Sequence, residues 1–507
     1  MSTRSPLTRA ESTRYAETSR HADVLRFVAE LESKKDPRLA RQSFGTSPEG
    51  RELPLLILSA PGVRSPVAAR AAEKPIVLVI NGIHAGEVEG KEASLMLVRD
   101  LLAGELGDVL EHVTVLVVPL FNPDGNDRIS PDNRRLDLAK LEGQLGPESG
   151  VGTRTNASGV NLNRDYMRQS ALEMQLLQSR ICQPWRPHLT VDCHSTNGSV
   201  HRFDMTFDVP HTIESGRAEP ILFMRERMMP AVRREVKARH GRDSGWYGNF
   251  LVDENKSGEQ KSGEGWITYT HHPRFGSNYR GLTNRLDCLL ETYSYISFED
   301  RVWTTYAFLV ELLRFAATHP SELLTVVEAC QEPPARVAVR YGLESFPEPV
   351  EILTRSPRTL EGAPASVTIP HYARFVGSEV VARPWAYAVP DTLAAFFRGH
   401  GLEVSWLGAN TRVLGEVARV DSSVRAGARK ILEATDLGEL TLRAHHERGG
   451  LMLPQGTCYL RTDQPLGAVA TYLCEAQSDD SLWVNGLLPE PTAGEELPVL
   501  RVLEPLD

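Results

Sequence analysis

The chain has 507 residues, of which 41% are hydrophobic and 24% are charged, and its formal charge of −10 gives it no electrostatic preference for nucleic acid or anionic lipid. Its longest apolar stretches, such as 76–80 and 113–120, are far shorter than the roughly 18 residues of a membrane span. A chain of this length is too long for one compact core, so about two to four domains are expected.

The amino-terminal sequence lacks both the apolar core and the small-residue cleavage site of a signal peptide. This pattern predicts a cytoplasmic protein, or an exported one if an upstream signal has been left out. The six cysteines are scattered and form no C-x-x-C pair. They are therefore expected to be mostly buried thiols and not a disulfide framework.

Predicted helices and strands alternate along the first part of the chain. Apolar residues recur at helical spacing in three segments, which predicts helices over 17–33, 87–103 and 301–317. Continuous apolar runs predict buried strands at 53–59, 75–80, 111–120 and 188–193. This alternation predicts an α/β fold with a sheet covered on both faces.

Two further segments have a different texture. Residues 122–160 are rich in Asn, Asp, Gly, Pro and Arg, which indicates a long functional loop. From about residue 335, short β-prone segments such as 336–341, 366–369 and 467–473 are separated by Pro and Gly. We therefore expect a catalytic domain over residues 1–330 and a smaller, β-rich accessory domain over residues 335–507.

His84 and Glu87 lie in the segment NGIHAGE, which follows a predicted strand and precedes a predicted helix. They are three residues apart, so one turn of backbone can direct both side chains at one point. Zinc accepts a His nitrogen and a carboxylate oxygen, and catalytic sites usually add a third protein ligand and a water. Taken alone, this short motif is equally typical of a surface His beside a helix-starting Glu.

Three other segments have matching chemistry. His194 ends a predicted buried strand, where an α/β sheet binds its ligands. Asn163 and Arg164 place an amide beside a guanidinium, which suits capture of a carboxylate. Glu291 ends an apolar run, where a carboxylate has a raised proton affinity that suits general-base chemistry on a metal-bound water.

In this order, the four segments resemble the zinc carboxypeptidase family, the carboxypeptidase A-like metallopeptidases. That family has H-x-x-E, an N-P-D-G loop (here residues 122–125), an Asn-Arg pair, a ligand His and a late catalytic Glu. The resemblance spans about residues 40–315, and the stretch from Tyr459 onward is similar to a tail on a bacterial branch of the family. It implies a mixed, twisted central sheet flanked by helices, with zinc at the carboxyl ends of central strands.

The resemblance also implies the roles of the metal-site residues. His84, Glu87 and His194 correspond to the ligands of one zinc ion per chain. Glu291 corresponds to the general base that deprotonates the zinc-bound water before it attacks a carbonyl polarised by the metal.

Substrate contacts follow from the same resemblance. Asn163 and Arg164 correspond to the pair that binds the terminal carboxylate of the substrate. Arg154 is expected to stabilise the oxyanion, and Arg134 and Arg135 are the alternatives because the loop length differs from that of well-known members.

The family tyrosine that covers the substrate is assigned to Tyr279, in a Gly- and Asn-containing loop that is expected to act as a lid, with Tyr269 as the alternative.

Asn161 stands where many members have an Asp behind the first ligand His, which removes a negative charge there. The stretch 266–285 is expected to set side-chain specificity. Its His and Arg residues lead to the hypothesis that the substrate has an acidic side chain.

The predicted function is hydrolysis of the C-terminal peptide bond of a peptide. The alternatives are a zinc-dependent deacylase of N-acyl amino acids, similar to aspartoacylase and succinylglutamate desuccinylase, a catalytically weak pseudoenzyme, and an exported peptidase of cell-wall peptides. The expected partner is a peptide or an N-acyl amino acid, with no nucleic acid and no membrane. The oligomeric state is not determined by the sequence.

Overall fold

The structure, a computed structural model, describes residues 5–60, 62–251, 264–426 and 440–506. In chain order its strands are β1 (Leu39–Thr46), β2 (Glu52–Leu58), β3 (Ile76–Asn81), β4 (Thr114–Val118), β5 (Leu189–Thr196), β6 (Met205–Asp208), β7 (Ser244–Trp246), β8 (Asn249–Phe250), β9 (Trp266–Ile267), β10 (Leu286–Tyr293), β11 (Arg336–Ser345), β12 (Val350–Ser356), β13 (Ala363–Ile369), β14 (His371–Ala382), β15 (Ala386–Val389), β16 (Ser405–Trp406), β17 (Thr411–Arg425), β18 (Leu440–Leu453), β19 (Cys458–Arg461) and β20 (Glu496–Val502).

The helices are α1 (Arg9–Ser12), α2 (His21–Ser33), α3 (Pro66–Ala71), α4 (Glu89–Ala103), α5 (Val109–His112), α6 (Pro123–Asp127), α7 (Leu172–Leu176), α8 (Gln183–Trp185), α9 (Ala218–Leu222), α10 (Met229–His240), α11 (Gly276–Leu282), α12 (Phe298–Thr318), α13 (Pro320–Glu328), α14 (Ala394–Gly399) and α15 (Gly467–Cys474). Short 3₁₀ turns lie at Leu162–Arg164 and Asp391–Leu393, and π-helical turns at Leu177–Cys182 and Phe223–Met228.

An eight-stranded mixed sheet, in the order β1-β2-β4-β3-β5-β10-β6-β7, forms the centre of the molecule. Strands β4, β3, β5 and β10 run parallel, whereas β1 and β2, β2 and β4, and β10 and β6 pair antiparallel. Strands β3 and β5 are buried along their whole length, as expected of strands covered on both faces. The predicted α/β fold with a mixed central sheet flanked by helices is confirmed.

The two faces of the sheet belong to different hydrophobic cores. Val77 and Val79 of β3 pack in a core with apolar residues of α2, α4 and α12. Leu78 and Ile80 face the opposite core. That second core also contains side chains from the C-terminal part of the chain, among them Tyr387, Phe397, Leu473 and Trp483.

From Arg336 onward most residues lie in additional sheets, one of which has the order β11-β14-β9-β8 and another the order β16-β19-β15-β20-β17-β18. Strand β9 belongs to the first part of the chain and pairs with β14 of the second, so the two parts share a sheet as well as a core. The expected boundary at 330–335 falls between α13 and β11. Separate folding of the two parts stays a prediction.

Most of the predicted elements appear in the structure. The predicted helices are α2, α4 and α12, and the predicted strands are β2, β3, β4 and β5. The β structure predicted at 467–473 is wrong, because these residues form α15, which is buried on all sides and so has no polar face to reveal a helical period. The loop predicted around Tyr279 is also wrong, since Tyr279 lies in α11.

Two further observations concern the described residues. All six cysteines are free thiols, and five of them are buried. Among the described helices, none combines the length and apolarity that crossing a membrane requires.

Candidate active site

The first cluster of polar residues lies where β3 and β5 end. These strands are parallel neighbours, with Asn81 opposite Cys193, so the segments that follow them meet at one edge of the sheet. His84 and Glu87 lie between β3 and α4 in a turn closed by a hydrogen bond from the Glu87 N–H to the His84 carbonyl, 3.0 Å. His194 lies in β5 itself.

These three side chains converge on one point. The His84 Nδ1 lies 3.1 Å from Glu87 Oε1, the His194 Nδ1 lies 2.9 Å from Glu87 Oε2, and the two Nδ1 atoms are 3.2 Å apart. All three residues are only 3–4% exposed. Two His nitrogens and a carboxylate are the ligand set of many catalytic zinc sites.

The outer ring nitrogens support this interpretation. The Nε2 of His84 lies 3.0 Å from Asn161 Oδ1, and the Nε2 of His194 lies 3.1 Å from Asp192 Oδ1. The Asn161 acceptor holds the ring proton of His84 on Nε2, and the charge of Asp192 favours a proton on the Nε2 of His194, so that the Nδ1 lone pairs face inward. The residues present therefore fit a bound zinc ion.

Electrostatics distinguishes the three ligands. Burial would raise the pKa of Glu87, but His84 and Arg134 hold that pKa well below its usual range. Burial and the cation of Arg154 lower the pKa of His84 to about 3. Burial also opposes charge on His194, yet the carboxylate of Asp192 raises its pKa well above the usual value. The same carboxylate makes that imidazole a more basic metal ligand.

Glu291 faces the metal-binding cluster from the next strand. Strand β10 runs parallel to β5 with Glu291 opposite His194, and the side chain lines the same cavity, whose volume is about 230 Å³. Burial raises the pKa of Glu291 to about 8, although His194 acts in the opposite direction. A carboxylate with a raised proton affinity is suited to accept and return a proton near neutral pH.

Two of the three candidate arginines line this cavity. Arg134 donates to Glu87 Oε1 at 3.0 Å and to Gln144 Oε1 at 2.7 Å. The Nη1 of Arg154 lies 3.1 Å from the Nδ1 of His84. Arg135, in contrast, is exposed and is not among the residues that line the cavity.

Asn163 and Arg164 lie in a 3₁₀ turn and line the same cavity. The Oδ1 of Asn163 accepts a hydrogen bond from the Gly276 N–H, 2.9 Å, and the guanidinium of Arg164 stacks 3.7 Å above the ring centre of Phe275. These contacts with neighbouring residues hold both side chains at the cavity.

The structure does not bring Tyr279 to this cavity. Its hydroxyl lies 2.8 Å from the His400 Nδ1, in the interior between the two parts of the chain. Tyr269, the alternative, does line the cavity, as does Tyr247. Tyr269 is therefore better placed to contact a substrate than Tyr279.

The cations expected to select an acidic substrate side chain are directed elsewhere. They pair with buried aspartates: His271 with Asp479 at 2.7 Å, Arg274 with Asp480 at 2.5 Å and Arg280 with Asp192 at 3.0 Å. They are not among the residues that line the cavity, so the structure gives no support to a preference for acidic side chains.

Two of the residues described above were not identified from the sequence. Asp192 precedes His194 by two positions in a strand and therefore lies on the same face, a signal that was available. Tyr247 lies far from every motif, and its place in the cavity follows only from the tertiary structure.

Comparison with known proteins finds a similarity to zinc carboxypeptidases in the first part of the chain. Residues 24–188 match the family model described as zinc carboxypeptidase, a stretch that includes His84, Glu87, Asn163 and Arg164. The chain is 23% identical over 495 residues to carboxypeptidase 2 of Trichophyton tonsurans, covering 90% of this chain and 81% of that protein. It is 33% identical over 133 residues to carboxypeptidase B of Astacus astacus, covering 26% and 38%.

Solved structures give weaker likenesses. A metallo-carboxypeptidase from Pseudomonas aeruginosa is 19% identical with a TM-score of 0.40, over 59% of this chain and 69% of that one. Carboxypeptidase A from Helicoverpa armigera is 17% identical with a TM-score of 0.39, over 60% and 75%.

Proposed function

We propose that the chain is a metallopeptidase of the zinc carboxypeptidase family and that it removes the C-terminal residue of peptides. The observation that supports this proposal is a single cavity of about 230 Å³ that is lined both by residues of the candidate metal site and by the Asn163–Arg164 pair. A guanidinium and an amide beside a hydrolytic site are suited to a substrate with a free carboxylate.

In this proposal His84, Glu87 and His194 hold one zinc ion per chain. When bound, zinc supplies a Lewis acid that activates water and polarises the scissile carbonyl. Asn161 and Asp192 orient the two ligand imidazoles from behind.

The residues around the metal site bind the substrate and transfer the proton. Asn163 and Arg164 bind the terminal carboxylate and so align the last peptide bond with the metal site. The carboxylate of Glu291 accepts a proton from the attacking water and returns it to the leaving amine, so that the products are a free amino acid and a peptide shortened by one residue.

Arg154 is the better candidate for stabilising the oxyanion. Its side chain is 33% exposed and lies 3.4 Å from Glu87 Oε1, whereas that of Arg134 is 15% exposed, lies 3.0 Å from the same oxygen and also donates to Gln144. A guanidinium directed at the place where negative charge develops lowers the barrier most when it is already in position. Tyr269 is the tyrosine that we propose to cover the substrate, because it lines the cavity and Tyr279 does not.

The test is to incubate the zinc-loaded chain with matched peptides that end in a free carboxylate or in an amide, and to identify the products by mass spectrometry. The proposal predicts stepwise loss of single C-terminal residues from the free acids only. Arg164→Gln should weaken this activity roughly 100-fold, while Arg374→Gln, on an exposed arginine paired with Glu344, should not.

The same experiment includes N-acyl amino acids, which also have a free carboxylate beside an amide bond. Cleavage of these and not of peptides would replace the carboxypeptidase proposal with the deacylase alternative. Equal cleavage of amidated and free peptides would show that the Asn163–Arg164 pair does not select substrates by binding a terminal carboxylate.

A further inference from the structure

The C-terminal part of the chain makes direct contact with one wall of the active-site cavity. This wall segment, residues 269–278, supplies Tyr269, Phe275 and Ser277 to the cavity lining. It also supplies the Gly276 N–H that donates to the Asn163 side chain and the Phe275 ring beneath Arg164. Its position therefore sets the position of the groups proposed to bind the substrate carboxylate.

Arg274, at the centre of the wall segment, is held by Asp480. The Arg274 N–H donates to Asp480 Oδ2 at 2.9 Å, and its guanidinium pairs with Asp480 Oδ1 at 2.5 Å. The same guanidinium donates to the Asp479 carbonyl at 2.7 Å. Asp480 is fully buried and Arg274 is 5% exposed. Because separating a buried ion pair leaves an uncompensated charge, these two residues are constrained to stay together.

His271 is held in the same way by Asp479. The His271 Nε2 lies 2.7 Å from Asp479 Oδ2, while Tyr472 of α15 donates to Asp479 Oδ1 at 2.6 Å. The Asp479 N–H donates to the Val339 carbonyl at 3.2 Å, which ties this carboxylate to β11. Asp479 and Asp480 are thus anchored in the C-terminal part of the chain, and their side chains contact residues of the wall segment in the first part.

His400, also in the C-terminal part, makes a second contact near the cavity. The His400 Nε2 lies 3.1 Å from the Met167 carbonyl, and its Nδ1 lies within 3.0 Å of both the Tyr279 hydroxyl and the Gln169 Nε2. An Nε2–H donor and an Nδ1 acceptor match these partners, with the single Nδ1 lone pair shared between the Tyr279 hydroxyl and the Gln169 amide. Met167 follows the Asn163–Arg164 turn and Tyr279 follows the wall segment, so His400 joins the two walls from outside the cavity.

From these contacts we propose that Asp479 and Asp480 are positioning residues for substrate binding, a role that rests on the proposed carboxypeptidase function. They do not line the cavity themselves. They act through His271 and Arg274, fixing the wall segment against Asn163 and Arg164. The C-terminal part is then a component of the peptidase active site and not an attached module.

The test compares Asp480→Asn with Glu475→Gln. Glu475 is a matched control because it too is a buried carboxylate of the C-terminal part, paired with Arg501 at 2.5 Å, and it does not contact the wall segment in any described hydrogen bond or ion pair. Both variants should lose thermal stability and keep their zinc. Only Asp480→Asn should raise KM for a peptide substrate, by roughly 10- to 100-fold, with a much smaller change in kcat.

A readout without substrate separates this proposal from the proposed function. In Asp480→Asn, hydrogen exchange measured by mass spectrometry should be faster over residues 266–282 than in the parent chain, and in Glu475→Gln it should not. An inactive parent chain that still shows this difference would refute the carboxypeptidase function and leave the positioning contact standing.

Equal KM values and equal exchange in the two variants would overturn the proposal. Asp479→Asn, which removes the charge beside His271 and His272, provides a second variant with the same expected direction. If neither aspartate variant folds while Glu475→Gln does, the pair is needed for the fold as a whole and the positioning role is wrong.

Discussion

Two carboxylates that line the same cavity, those of Glu87 and Glu291, differ in their affinity for protons. Glu87 has a pKa well below the usual range because His84 and Arg134 outweigh its burial, whereas burial raises the pKa of Glu291 to about 8. The first is thus suited to bind a metal as an anion, and the second to exchange a proton.

Glu291→Gln tests this division of roles. Because the amide cannot accept the proton, kcat should fall by roughly 10²- to 10⁴-fold. Zinc content should be unchanged, since Glu291 is not one of the three converging ligands. Glu105→Gln, on an exposed residue, is the control and should match the parent chain. If Glu291→Gln kept most of the kcat of the parent chain, Glu291 would not be the general base.

The pH dependence of kcat/KM gives a second test. Glu291 must be ionised to act, so activity should be lost as the pH falls through its pKa. Burial raises that pKa from 4.5 to about 8, and the charge of a bound cation lowers it again, so the acid limb should lie between these two values. Measurement from about pH 4 to about pH 9, with zinc content checked at each point, would contradict this assignment if the limb lay at or below 4.5.

Sequence and structure can be compared residue by residue. His84, Glu87, His194 and Glu291 were selected from short motifs whose order resembles a known family, and each motif follows or ends an apolar strand whose place in a parallel sheet is predictable. The structure places their side chains at one cavity or cluster, and their roles stay predictions. Tyr279 was misplaced because its surroundings are set by His400, more than a hundred residues away. A contact between residues so far apart in the sequence leaves no local pattern from which it could be predicted.

Among the elements, the turn between β3 and α4 is decisive for the metal site. Helix α4 packs so closely on β5 that a Cβ atom at Gly90 would lie 2.6 Å from the Cβ of Cys193 and 2.8 Å from the Asn81 side chain. This close approach brings Glu87, just before the helix, within reach of His194 on the strand.

Gly90→Ala should therefore destabilise the chain by about 1–3 kcal/mol, because neither neighbour is a flexible side-chain end, and it should also weaken zinc binding. Gly342→Ala is the control, since nothing lies within 4 Å of the added atom there, and it should change the free energy of unfolding by about 0.5 kcal/mol or less. Urea denaturation measures both. Equal midpoints would show that α4 is not held at close contact.

Other elements show where sequence patterns fail. Strands β3 and β5 were predicted from continuous apolar runs, which fully buried parallel strands produce. Helix α15 was mistaken for β structure because burial on all sides removes the polar face that marks a helix. A short apolar run therefore indicates burial more reliably than it indicates the type of element.

At the scale of the whole molecule, the C-terminal part covers one face of the central sheet. Leu78 and Ile80 of β3 share a core with Tyr387, Phe397 and Leu473. Residues 1–334 alone would expose this face, which an eight-stranded sheet cannot leave open to water without loss of stability.

A chain truncated after residue 334 should therefore be insoluble or lack a cooperative unfolding transition. Circular dichroism and thermal unfolding of any soluble fraction would measure this. A soluble truncated chain that unfolds cooperatively and cleaves peptides would contradict the shared core, and would support the independent domains expected from the sequence.

The most direct test of the central claim is the metal content of the purified chain beside its His84→Ala variant, by elemental analysis. His112→Ala, on a half-exposed histidine in the same part of the chain, is the control. The account predicts about one zinc per chain, retained in the control and lost in His84→Ala together with peptidase activity. A chain that binds no zinc even when zinc is offered, or a His84→Ala variant that keeps it, would contradict the account.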